Sequence, residues 1–314
     1  MLYADLHCDT FSKLLRRRDA GENARFAQND LQIDLARLEK SGCAVQNFAM
    51  FVPLDRVSDP EKRVFDMIDL FDAEMEANAE RIRPARSLAE LEKNRRDGRI
   101  SAVLTVEEGG VCRGDIEILR RLHARGVRML TVTWNFENEL GFGAAVDQTR
   151  GLKARGFEFL EEMERLGVVA DVSHLSDAGF WDVKRHSRRP FCASHSNARA
   201  VCPHRRNLTD EMIAAIADSG GVIGLNYYGE FLSPDGASTA ALTARHARHI
   251  AGCGGAQCLA LGSDFDGFSG ETEMRDCTCV PRLAEAFASE GFSENEIDGI
   301  MYKNVLRFYG DTLK

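Results

Sequence analysis

Five short segments of this chain collect residue types that bind metal ions or move protons: Asp5-Leu-His7-Cys-Asp9, Glu107-Glu108-Gly-Gly110, Asp171-Val-Ser-His174, Ser194-His195-Ser196 and Gly262-Ser-Asp264-Phe-Asp266-Gly267. In an extended strand alternate side chains point the same way, so the imidazole and carboxylate of His7-x-Asp9 can meet one ion. Taken singly, each segment has a plainer reading. A His-x-Asp pair is commonly structural, and His174 or His195 alone suits a hydrogen-bonded core histidine. Taken together they crowd carboxylates, which repel one another unless a cation neutralises them. Imidazole and carboxylate donors without clustered thiolates suit Zn2+ at a reactive site rather than a cysteine-based structural one.

The elements that must position these groups are legible as a repeating pattern. Strand-like runs fall at Tyr3–His7, Ala44–Phe51, Ile100–Glu107, Val127–Thr133, Val168–Ser173, Pro190–Ser194, Gly221–Asn226 and Cys258–Ser263. Between them, apolar residues at three- and four-residue spacing predict helices such as Ile116–His123, Phe157–Leu166 and Leu208–Ala217. Two further helices, Val280–Ser289 and Ser293–Phe308, close the chain. Strands alternating with helices over this length predict a TIM-type (β/α)8 barrel, an α/β fold, as a single domain spanning residues 1–314 with extra C-terminal helices. Each reactive segment lies at the C-terminal end of a strand, the face on which such barrels build active sites. A doubly wound open sheet is the alternative, but no Gly-rich dinucleotide fingerprint follows the first strand, and Gly252–Gly255 precedes a strand. The loops Val52–Glu61 and Tyr227–Ser238 are candidates for shaping a pocket.

Composition narrows the partners. The net charge of −9 argues against nucleic acid, which needs clustered Lys and Arg, and the runs Arg16-Arg17-Arg18 and Arg188-Arg189 are short enough for ordinary solvated surface. The nine cysteines make no compact disulfide framework, and Cys277-Thr-Cys279 lacks the two-residue gap of common zinc or redox motifs. They read as reduced thiols, several buried, with Cys8 a filler beside the site. No apolar run reaches membrane-spanning length, and the start, Met-Leu-Tyr-Ala-Asp-Leu-His7, has no basic segment followed by an apolar stretch. A soluble cytoplasmic protein is therefore expected.

The segments also carry a resemblance. His195-Ser-Asn-Ala-Arg-Ala-Val-Cys-Pro-His-Arg-Arg-Asn-Leu-Thr-Asp210, with Asp5-x-His7-x-Asp9, Val106-Glu107-x-Gly109-Gly110, Asp171-Val-Ser-His174 and Gly262-Ser-Asp264-Phe-Asp266-Gly, resembles the membrane (renal) dipeptidase family of amidohydrolase-like zinc metallopeptidases over nearly the whole chain. The resemblance implies a binuclear site with two Zn2+: His7 and Asp9 on one ion, His174 and His195 on the other, and Glu107 bridging. Glu108 is the rival bridge. It implies that a water shared by the two ions is the nucleophile and that Asp264 carries its proton to the leaving amine, with Asp266 in a supporting or turn role. Arg206 matches the arginine that grips the substrate's free carboxylate, with Arg205 the alternative and a surface pair to Asp210 or Glu211 the plainer reading of either. One position departs from the family. In Leu130-Thr-Val-Thr-Trp134-Asn135, Trp134 stands where a substrate-binding histidine is common. An indole donates one hydrogen bond and cannot become a cation, so Asn135 is a candidate donor in its place, and packing at the rim is the other reading of Trp134.

The reading implied is a dipeptidase acting on small dipeptides, L,D-dipeptides among them, with a homodimer expected by family analogy alone. A related reaction on N-acyl amino acids or lactones is the alternative, kept open by Trp134. A barrel that binds a metabolite without catalysis is a third reading, disfavoured because the ligand set and Asp264 are all present.

Overall fold

The computed structural model describes residues 1–313. Nine parallel strands run through it: β1 (Tyr3–Asp5), β2 (Cys43–Phe51), β3 (Ile82–Pro84), β4 (Ile100–Glu107), β5 (Met129–Thr131), β6 (Val169–Asp171), β7 (Cys192–Ala193), β8 (Val222–Leu225) and β9 (Leu259–Leu261). The order β2-β1-β9-β8-β7-β6-β5-β4 is closed by pairing of β2 with β4 from Val45↔Ser101 to Phe51↔Glu107. The result is a closed eight-stranded parallel barrel with surrounding helices, the TIM-type (β/α)8 fold.

β3 is an addition to the expected set. It pairs with the first residues of β4, Ile82↔Ile100 to Pro84↔Ala102, while β5 takes the last three residues of the same edge. β2 and β4 are long and buried on both faces, whereas β7 is two residues long, so the expected run Pro190–Ser194 is mostly loop. The expected closing helix Ser293–Phe308 is three segments: Glu294–Asp298, a π-turn over Gly299–Lys303, and Asn304–Thr312.

Helix starts follow local chemistry. Ser176 and Thr209 accept hydrogen bonds from the backbone N–H of Gly179 and Met212, satisfying donors that the first turn leaves free, each worth about 1 kcal/mol. The interior of the barrel is closed from below. Val45, Val103, Met129, Val169 and Val222 form one apolar cluster with Val305, Phe308 and Tyr309 of the last helix. That packing leaves the C-terminal ends of the strands as the open mouth, where the ionisable segments lie.

Candidate active site and metal centre

His7 and Asp9 follow β1, Glu107 ends β4, and His174, His195 and Asp264 follow β6, β7 and β9. The structure brings all six together. His7 Nε2 lies 3.4 Å from Asp9 Oδ2, 3.3 Å from Glu107 Oε2 and 3.9 Å from Asp264 Oδ1. The other oxygen of Glu107, Oε1, lies 2.9 Å from His174 Nε2 and 3.8 Å from His195 Nε2. One carboxylate thus faces two groups of candidate metal-binding side chains, one oxygen to each.

The adjacent glutamate does something else. Glu108 has a left-handed backbone (φ 91°), and its carboxylate accepts from Gly110 N at 2.7 Å, Trp134 N at 3.1 Å and Asn138 Nδ2 at 2.5 Å. It holds the loop after β5 in place and points away from the histidines.

Hydrogen bonds behind the histidines set their tautomers. Asp171 accepts from Thr131 Oγ1 (2.6 Å), Ser173 Oγ (2.7 Å) and Ser194 Oγ (2.6 Å). Because Ser194 gives its one hydrogen to Asp171, its oxygen accepts from His195 Nδ1 at 2.7 Å. Asn135 Oδ1 accepts from His174 Nδ1 at 2.9 Å. Both rings therefore present a bare Nε2 inward, and burial, with positive charge nearby, holds both imidazoles well below the ordinary histidine range, that is, neutral. Such outer partners are the usual means of aiming a metal-binding imidazole.

The donor set fits a cation. His7 Nε2 and Asp9 Oδ1 are buried with no hydrogen-bond partner, a costly state that a bound ion would relieve. Burial and the charge of Asp9 push the Glu107 carboxyl up to about 8, and burial pushes Asp264 up to about 6. Both shifts express one deficit, since the pocket has more carboxylates than cations to balance them. His7 is raised well above its ordinary value despite its burial, because Glu107 and Asp9 face it.

The loop after β9 is bent to serve this cluster. Asp264 and Asp266 both have left-handed backbones (φ 60° and 67°), conformations that non-glycine residues adopt at a cost and mostly at functional sites. A Cβ on Gly267 would lie 2.2 Å from Asp264 Oδ1 and 2.4 Å from Asp9 Oδ2, so a side chain there would displace those carboxylates or the loop that passes over them. Asp266 turns away, accepting from Thr10 Oγ1 at 2.7 Å and Gln32 N at 2.8 Å.

Arg206 is buried, with 5% of its surface exposed. Its Nη1 reaches Ser196 Oγ at 3.5 Å, its guanidinium sits 5.3 Å from the Phe231 ring centre, and Nε and Nη2 have no partner. Burial pulls it down to about 10, against the attraction of Asp264 and Glu107. Neither Arg206 nor Arg205 pairs with Asp210, which accepts from His249 Nε2 at 2.7 Å.

Trp134 packs against Phe51 and Phe136, with ring centres 5.0 and 5.4 Å away, and lies 6.1 Å from His174. Asn135 commits its carbonyl oxygen to His174, leaving only its amide N–H groups for a substrate. A cleft of about 1050 Å3 leads to the cluster and is lined in part by Trp134, Asn135 and residues of both expected pocket loops, Val57 and Tyr228 among them. Sequence reasoning missed Asn226, which donates to Asp264 Oδ2 at 3.0 Å, and Ser194, which aims His195. The available signal for both was position, a small polar residue at the C-terminal end of a predicted strand.

A closed β/α barrel with a buried carboxylate–histidine cluster at its C-terminal mouth defines a barrel metallohydrolase. The family model for membrane dipeptidases (peptidase family M19) matches residues 1–313. The chain belongs to this family and is a metal-dependent dipeptidase. It is 31% identical over 305 residues to dipeptidase aclJ of Aspergillus oryzae, covering 92% of this chain and 72% of that one. It is 36% identical over 240 residues to an uncharacterized protein of the pqqA 5′ region of Klebsiella pneumoniae, covering 73% and 89%. Among solved structures, the metallopeptidase dipeptidase AC superposes with a TM-score of 0.93 at 29% identity, covering 100% of this chain and 99% of that one. A metallopeptidase from Rhodobacter sphaeroides, solved with a phosphinate mimic of the dipeptide L-Ala-D-Ala, superposes with a TM-score of 0.92 at 28% identity, covering 99% of each. Among the described residues no helix is long and apolar enough to cross a membrane.

Proposed function

We propose that residues 1–314 act as one catalytic barrel that hydrolyses the single peptide bond of small dipeptides, L,D-dipeptides among them, using two zinc ions. The residues that would hold the ions are His7 and Asp9 on one side, His174 and His195 on the other, and Glu107 between. The observation that carries this reading is the division of the Glu107 carboxylate, Oε2 toward His7 and Oε1 toward His174 and His195. Bound there, divalent ions supply an acidified water and polarise the scissile carbonyl.

The remaining work falls to the chain itself. Asp264 Oδ2 is held by Asn226 and Oδ1 lies 3.9 Å from His7 Nε2, so its carboxylate stands where it can accept a proton from the attacking water and pass it to the leaving amine. Arg206 offers two unpartnered guanidinium nitrogens in a buried setting, which suits the free carboxylate of a dipeptide and not a neutral lactone. Trp134 and Phe51 provide an apolar wall that excludes water beside His174. The mimic bound by the Rhodobacter sphaeroides protein supports including L,D-dipeptides.

The test is turnover of L,L- and L,D-dipeptides, with metal content measured on the same sample. Two zinc ions per chain, and hydrolysis lost on chelation and restored by added metal, are expected. Metal-loaded protein that hydrolyses N-acyl amino acids or lactones and leaves every dipeptide intact would overturn the reading.

A further inference from the structure

The cleft leading to the cluster is joined by a smaller recess of about 400 Å3, and the two share Lys13, Arg16, Asp266 and Phe268 in their walls. Lys13 and Arg16 stand three residues apart on the helix Thr10–Asp19, so they lie on one face of it. That helix begins directly after Asp9, and Lys13 N donates to Asp9 O at 3.2 Å. The helix backbone that carries the two cations is therefore fixed relative to the proposed metal ligands.

Within this helix they differ from the two arginines that follow in having no salt-bridge partner. On the same helix Arg17 pairs with Asp30 and Arg18 with Glu74, while nearby Arg63 pairs with Asp19 at 2.5 Å. Among the described residues no carboxylate is salt-bridged to Lys13 or Arg16, although acidic residues outnumber basic ones 49 to 40. Of the two carboxylates in the recess wall, Asp30 is paired with Arg17, while Asp266 is hydrogen-bonded by Thr10 and Gln32 and faces Lys13. The recess wall thus sets three cations, Lys13, Arg16 and Arg17, against two carboxylates, Asp30 and Asp266, and its net positive charge faces a cavity open to the catalytic cleft.

Their place around the barrel indicates which part of a substrate they meet. Arg206 follows β7, and the helix carrying Lys13 and Arg16 follows β1, three strands away around the ring. With the C-terminal carboxylate of a dipeptide on Arg206 and its scissile bond at the cluster, the N-terminal residue lies on the far side of the cluster from Arg206, where its side chain is taken to point toward β1.

We propose that this recess is an anion-binding subsite, with Lys13 and Arg16 selecting dipeptides whose N-terminal residue is Asp or Glu. The proposal rests on the dipeptidase reading above. The experiment compares kcat/KM of the zinc-loaded full chain for Glu-Ala, Gln-Ala, Lys-Ala and Ala-Glu. Glu-Ala is expected to exceed Gln-Ala by about tenfold, the difference residing in KM and shrinking as salt is raised. The double variant Lys13→Ser/Arg16→Ser should abolish that ratio, and the charge-keeping Lys13→Arg/Arg16→Lys should retain it. Equal rates for Glu-Ala and Gln-Ala, a preference confined to Ala-Glu, or a preference that survives the serine variant would overturn the subsite while leaving the dipeptidase reading intact. If no dipeptide is cleaved, the dipeptidase reading falls, and calorimetric titration with Glu-Ala and Gln-Ala decides the subsite separately. Tighter binding of Glu-Ala that is lost in the serine variant supports it, and equal binding overturns it.

Discussion

His174 Nε2 and His195 Nε2 face each other at 2.8 Å, although the Nδ1 hydrogen of each ring is already donated, to Asn135 and to Ser194. Two lone pairs held this close, in rings that burial keeps neutral, repel one another unless a cation lies between them. Zinc should therefore stabilise the fold as well as enable the reaction. At a thousandfold excess over Kd, a ligand that binds only the folded state contributes about 4 kcal/mol. Thermal melts with zinc and with chelator should differ by several degrees. Coincident melts would contradict a structural demand for metal at this pair.

Glu107→Gln and Glu108→Gln should fail in opposite ways. The first removes the carboxylate shared between the two ligand groups, so metal content should drop and kcat with it, while the metal-free protein melts no lower than the parent. The second places an amide N–H among the donors of Gly110, Trp134 and Asn138. It should cost roughly 1–3 kcal/mol of stability, read by denaturant unfolding of metal-free protein.

Arg206→Met should raise KM for dipeptides and lower kcat/KM by about a hundredfold, the scale of a lost charge-assisted pair. Stability should hold or rise, because the guanidinium is buried with two nitrogens unpartnered and an apolar side chain ends that cost. A large fall in Tm with unchanged KM would assign this arginine to packing instead.

Gly267→Ala tests the close passage over Asp264 and Asp9. The added methyl falls on both carboxylate oxygens, so either these side chains or the loop must shift, and activity should drop sharply. Gly267 itself is exposed, so the circular dichroism spectrum should remain that of the parent.

The pH dependence of the metal-free protein has a definite sign. Burial raises the Glu107 carboxyl to about 8, and carboxylates hold His7 above its usual value, so between about pH 6.5 and 8 the folded state binds more protons than the unfolded state. Stability then falls as pH rises through that window. His174 and His195, shifted down, act oppositely, but only below about pH 6.5, where the unfolded chain takes up protons that the fold excludes. Saturating zinc should remove the decline above pH 6.5. A Tm of chelated protein that rises across that window would show the sign to be wrong.

Much of this molecule is legible in its residues. β2 and β4 announce themselves as long apolar runs, because both faces of a barrel strand are covered. β3 was not legible. Ile82-Arg-Pro84 has no alternation and ends in proline, and it is a strand only because β4 offers it a free edge. The last helix reads as continuous because a π-turn preserves apolar burial while changing the hydrogen-bond register, which side-chain periodicity does not report.

The candidate residues His7, Asp9, Glu107, His174, His195 and Asp264 are named by the chain alone, as reactive residue types at predicted strand ends that the barrel rule assigns to one mouth, with the roles given them by the family resemblance. Tertiary structure decided which of two adjacent glutamates faces the histidines, because a left-handed turn at Glu108 sends neighbouring side chains to different surroundings. It also decided that Asn135 aims His174, that Asn226 steadies Asp264, and that Arg206 is left unpaired while Arg17 and Arg18 are not. Such facts depend on side chains arriving from separate strands, and local spacing carries no record of those meetings.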